Sequence, residues 1–109
     1  MAAGDVTIEF DSGRQRARGN RRMICGTVTL DGGNPTPVAL GAYLREVKGA
    51  VVSYRGTAAQ GLDPTTVTAA VSGTTVNVYA WKVTGAGDTT LIASTDNDDL
   101  VSFVAWGIA

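Results

Sequence analysis

The chain has 109 residues, 44% of them hydrophobic and 17% charged, with a formal net charge of −1, one cysteine and no histidine. That length suits one domain able to bury roughly two thirds of the surface its unfolded form exposes, and the near-neutral balance supplies no overall field to gather a polyanion or an anionic membrane. A lone cysteine excludes an intrachain disulfide, and the lack of histidine removes Ser-His-Asp and Cys-His nucleophilic systems and every His-ligated metal site.

Glycine, threonine and valine dominate while leucine and glutamate are scarce, a balance that favours strands and tight turns. The expected fold is all-β: a small antiparallel β-sandwich or barrel of about seven strands with an extended N-terminal arm. Residues 1–22 are expected to form the arm and 23–109 the β-domain. No apolar run approaches 18 residues and no charged start precedes a short apolar stretch, so neither membrane spanning nor secretion is expected, and the unpaired Cys25 suits a reduced, cytosolic setting.

Residues 4–10 (GDVTIEF) alternate Val6, Ile8 and Phe10 against Asp5, Thr7 and Glu9, the period of a half-buried strand within the arm. Residues 11–22 (DSGRQRARGNRR) have no apolar period and hold five of the nine basic side chains, Arg14, Arg16, Arg18, Arg21 and Arg22. The reading is a mobile basic segment that orders on a partner, with alternate arginines free to form bidentate contacts with carboxylates or phosphates. Residues 23–109 carry four basic against seven acidic side chains, about −3 together, so an acidic protein surface suits the arm better than nucleic acid.

Residues 23–30 (MICGTVTL) read as a strand closed by the turn chemistry of Asp31, Gly32, Gly33, Asn34 and Pro35. Leu40, Tyr43, Leu44 and Val47 fall at helical spacing, but Gly41 and the short length reduce residues 36–46 to one helical turn or an irregular link. Residues 47–55 (VKGAVVSYR) suit a strand with a bulge at Gly49, and 56–64 a loop.

Residues 65–83 form the most determined segment. A two-residue Gly73-Thr74 turn of type II′ pairs Val71 with Val76, Ala69 with Val78 and Val67 with Ala80 on one apolar face. A three-residue loop would split that apolar set between faces, whereas a Ser72-Gly73 turn would keep it, so the inward residues are better determined than the turn. A short strand is expected within 89–94, then a polar turn at 95–99. Asp96, Asp98 and Asp99 offer oxygen ligands but lack the glycine and terminal glutamate of an EF-hand loop, which favours a solvated turn, and no metal or other cofactor is expected.

The final strand, 100–106, is apolar on both faces: Leu100, Val104 and Trp106 on one, Val101, Phe103 and Ala105 on the other. One apolar face is what a two-layer sandwich needs, so a second requires cover from the arm, the Tyr43-Leu44 region or another subunit. Val101, Phe103 and Ala105 are assigned here to self-association.

Gly19, Asn20, Arg21 and Arg22 leading into Ile24 to Thr29, then Pro37, Val38 and Leu40, the strand Gly49 to Ser53 and the ending Val101 to Gly107 together resemble small tailed-bacteriophage virion proteins of the head decoration, or cement, type. The likeness covers most of residues 19–109, while residues 1–18 have no counterpart in it. It implies a virion structural protein that binds the outside of an assembled head, with the major capsid protein and copies of itself, often in trimers, as partners. It also implies a place on the capsid surface after assembly in the host cytoplasm, and it carries no catalytic residue, cofactor or small-molecule substrate. The alternatives are a tail or head-tail connector component, a nucleic-acid-binding module using the basic arm, and an adhesion module stacking glycans on Tyr79 and Trp81.

Overall fold

The computed structural model describes residues 3–13, 19–56, 63–83 and 90–109. The described residues form eight strands: β1 (Val6–Asp11), β2 (Arg21–Thr29), β3 (Thr36–Ala39), β4 (Glu46–Arg55), β5 (Thr66–Ser72), β6 (Thr75–Lys82), β7 (Ile92–Ala93) and β8 (Leu100–Ile108). One antiparallel sheet runs β1-β2-β8-β4, and the other runs β3-β6-β5 with β7 also paired to β6. The fold is a small β-sandwich, as composition and alternation led one to expect, and no helix occurs among the described residues.

The β5–β6 hairpin has the expected register throughout, from Thr66 opposite Trp81 to Ser72 opposite Thr75. Gly73 takes φ +62° while Thr74 stays out of the left-handed region, the signature of the type II′ turn. Val76, Val78 and Ala80 are buried, but Val71 near the turn is exposed, because β5 is the outermost strand of its sheet. The opposing layer comes from Ile24 and Val28 of β2, Val47 of β4 and Val101, Phe103 and Ala105 of β8, with Val38, Leu40 and Leu44 closing the core beside β6.

Two expectations need correction. The N-terminal segment is not a free arm, since β1 pairs antiparallel with β2 from Val6 opposite Val28 to Asp11 opposite Ile24, with an irregularity between Ile8 and Phe10. Arg21 and Arg22 begin β2, so the boundary placed at residue 22 falls inside a strand. Although five of its six residues are exposed, so short a strand is more stable paired to its own sheet than extended in water, where its backbone groups gain no ladder. The 36–46 region contains a strand, β3, followed by the anticipated single turn, in which Tyr43 and Leu44 both donate their N–H to the Leu40 carbonyl.

Candidate docking surface

The sheet β1-β2-β8-β4 turns one face to the core, so alternation sends the other face outward. Register shows which side chains share it. Phe10, Cys25, Val104 and Val51 form one row across all four strands, and Met23 and Trp106 form the next with Gly49. Phe10 is 50%, Val51 58% and Trp106 41% exposed, and Met23 is also exposed. A further row, Thr7, Thr27, Ser102 and Ser53, is hydroxyl-bearing.

Two glycines on neighbouring strands shape the Trp106 end of this face. The register of β4 against β8 slips between Val47 and Gly49, so the expected bulge is present. A Cβ on Gly107 would meet the Glu46 carbonyl oxygen, and one on Gly49 would overlap Cζ2 of Trp106. The indole therefore lies directly on the Gly49 backbone, where any side chain would displace it.

Beside Trp106 the surface falls into a cleft of about 810 Å³ lined by Ser12, Arg21, Arg22, Met23, Lys48, Trp106, Gly107 and Ile108. Its cations are not equivalent. Arg22 is held inside the chain: its Nε and Nη2 donate to the two Asp11 carboxylate oxygens at 2.7 and 2.5 Å, and its Nη1 donates to the Tyr43 carbonyl at 2.9 Å. Its guanidinium also lies 5.5 Å from the Tyr43 ring centroid. The hydrogen bond from Arg22 holds the Asp11 carboxyl below its ordinary value, against the opposing effect of burial and with help from the Gly13 backbone N–H. Arg22, expected to bind a partner, thus fastens β1 and the 40–44 turn to β2. Lys48 pairs with Glu46 at 2.8 Å, both half-exposed, while Arg21 is exposed at the strand end. Arg14, Arg16 and Arg18 lie outside the described residues, between Gly13 after β1 and Gly19 before β2.

Charge is segregated along the strands. The end where β2 begins and β8 finishes carries Arg21, Arg22, Arg45 and Lys48 against Asp11 and Glu46. The opposite end gathers Asp5, Asp31, Asp63, Asp96, Asp98 and Asp99 against Arg55 and Lys82. Carboxylate oxygens of Asp63, Asp96 and Asp99 lie within 4.8 Å of one another. Asp96 Oδ1 accepts from the backbone N–H of Asp98 and of Asp99, the local backbone bonding expected of a polar turn. Tyr54 donates its hydroxyl to Asp99 and pulls that carboxyl down, but burial and the charges of Asp96 and Asp63 prevail, so Asp99 sits above its ordinary value.

The self-association residues assigned from sequence are corrected here. Val101, Phe103 and Ala105 are core residues, 1% exposed or less, opposite Val28, Gly26 and Ile24. The face of β8 that is left uncovered among the described residues carries Val104 and Trp106 instead. Asp63, which completes the acidic group, lies 33 positions from Asp96 and gave no local signal of joining it. On the outer face of the second sheet, Tyr79 and Trp81 stand with ring planes 9° apart and centroids 6.1 Å apart, and the Trp81 indole N–H donates to Thr68 Oγ1 at 3.0 Å. Comparison with family models, with curated proteins and with solved structures finds no match for this chain.

Proposed function

We propose that the chain is a virion structural protein of the head decoration type, one that binds the outer surface of an assembled capsid and ties neighbouring shell subunits together. The observation that supports this reading is the apolar row of Phe10, Val104 and Val51, joined by Met23 and Trp106, on a sheet face left uncovered among the described residues. Contiguous apolar surface bordered by polar residues marks interaction sites on soluble proteins. In this reading the molecule acts by docking, and many copies on one lattice gain avidity that a single contact lacks.

The arginine end meets the shell. Arg21 is exposed beside the cleft, and the sequence between Gly13 and Gly19 adds Arg14, Arg16 and Arg18 to the same connection. Their partner is an acidic surface of the major capsid protein, which arginine forks meet in bidentate fashion. The test is co-sedimentation with heads that lack the protein, comparing wild type with a variant in which Arg14, Arg16, Arg18 and Arg21 become Ser. Binding that raises the temperature of head disruption, and that the variant loses, supports the reading. Failure of the wild type to sediment with heads, or equal binding by the variant, refutes it.

A further inference from the structure

We infer that the outer face of the β1-β2-β8-β4 sheet is the seat of a second copy of this chain, packed face to face with its strands reversed. The inference rests on the reading above that the chain works by docking; it gives this face to self-association and leaves the shell contact to the arginine end. Two observations select a second copy: the area of the face and the polarity of its charge.

The face is broad enough for a weak but specific pair. Strands of six, nine, nine and ten residues, about 4.8 Å apart and rising about 3.4 Å per residue, present roughly 550 Å². Burying it on both copies removes roughly 1,100 Å², just above the roughly 1,000 Å² that a biological interface should clear. Its centre lies between the Trp106 row and the Val104 row, both apolar, with hydroxyls on one side and cations on the other. Sheets pack in this way about 10 Å apart with interleaved side chains.

Charge then decides the direction. A two-fold axis lying between the sheets can run along the strands or across them. An axis along the strands stacks like ends, bringing Arg21 and Arg45 of both copies together and the Asp96–Asp99 turns together. An axis across the strands lays each strand over its own copy in reverse and brings the aspartate end of one copy toward the arginine end of the other. Like charges held together are costly and opposite charges set register, so the reversed arrangement forms. The pair then carries one basic β1–β2 connection at each end, as suits a protein that bridges two shell subunits.

The experiment uses the full chain. Sedimentation equilibrium between about 5 and 500 μM should show a monomer–dimer equilibrium in the micromolar range, the strength expected of an interface this small. Val51→Lys, at a side chain already 58% exposed, should leave the circular dichroism and melting of the dilute protein unchanged and weaken pairing at least tenfold. Orientation is read by pulsed electron paramagnetic resonance on Asn97→Cys in a Cys25→Ser background. Reversed copies place the two labels roughly 45 Å apart, whereas copies in the same direction place them within about 25 Å. A monomer across the whole range, a trimer, pairing untouched by Val51→Lys, or the shorter label distance would each overturn the inference. A chain that pairs but ignores heads would refute the decoration reading and leave the pair standing, and a monomer that binds heads would do the reverse.

Discussion

Val101→Ala and Val51→Ala remove the same two methyl groups from opposite faces of one sheet. Val101 is fully buried between Val28 and Tyr54, while Val51 is 58% exposed opposite Val104. At Val101 the truncation loses about 50 Å² of buried apolar area, roughly 1.3 kcal/mol, and leaves a cavity of about 45 Å³ worth roughly 1.1 kcal/mol, so about 2.5 kcal/mol in all. At Val51 less than half of the area term applies and there is no cavity, leaving roughly 0.5 kcal/mol. Any loss of strand preference is shared by both and cancels in the comparison. Urea denaturation at about 0.1 μM protein, well below the micromolar pairing range and so dilute enough to keep copies apart, is the assay. With a slope near 1.2 kcal/mol/M the midpoint should fall by about 2 M for Val101→Ala and by under 0.5 M for Val51→Ala. Equal shifts, or a larger one for Val51→Ala, would refute the assignment of inner and outer faces.

Asp63→Asn should stabilise the protein at pH 7 by up to about 1 kcal/mol, the Coulomb energy of charges this close in a near-aqueous setting, and do nothing at pH 3. Because the folded Asp99 carboxyl titrates above its ordinary value, wild-type stability falls as pH rises from about that ordinary value through the raised one, and thermal melts across pH 3–7 should show the variant losing part of that fall. Asp11 has the opposite sign: its lowered value means that the contribution of its pair with Arg22 is present above the ordinary carboxyl value and is lost as pH falls through the folded one. Arg22→Gln should return the Asp11 carboxyl titration, followed by NMR, to the ordinary range and cost roughly 1 kcal/mol at pH 7. Gly49→Ala should lift the Trp106 indole from its seat, seen in a Trp81→Phe background as a red shift in emission. An unchanged spectrum there would show that the ring does not rest on Gly49.

Alternation and turn chemistry made the β5–β6 register legible residue by residue, because period-2 burial and a glycine at a two-residue turn agree. For β8 the same alternation sorts side chains into two sets but cannot say which faces inward when both are apolar. What decides is fit across strands. Ala105 and Gly107 are small where Ile24, Val47 and the bulged start of β4 crowd in, and Trp106 needs the open side above Gly49. β3 was hidden because it is four residues long, contains Pro37, and is followed by the spacing of Leu40, Tyr43 and Leu44, which mimics a helix. The basic run concealed the pairing of β1, since a stretch of like charge reads as unstructured even when, as here, it connects two paired strands. Of the candidate surface, Trp106 was visible as part of an apolar strand, but its row with Met23 and Gly49 depends on contacts between strands far apart in the chain.

Strand polarity in the larger sheet has a mechanical consequence. Gly4, bonded to Thr29, sits at the aspartate end, and Ala109, bonded to Asn20, sits at the arginine end, so the two ends point away from each other along the strands. Tension applied through them would pull β8 lengthwise against both β2 and β4, and β1 lengthwise against β2. In that geometry the ladder hydrogen bonds are loaded together in shear and must yield almost at once, whereas a pull across the strands would open them one after another. Stress entering at either terminus therefore meets the sandwich along its stiffest direction.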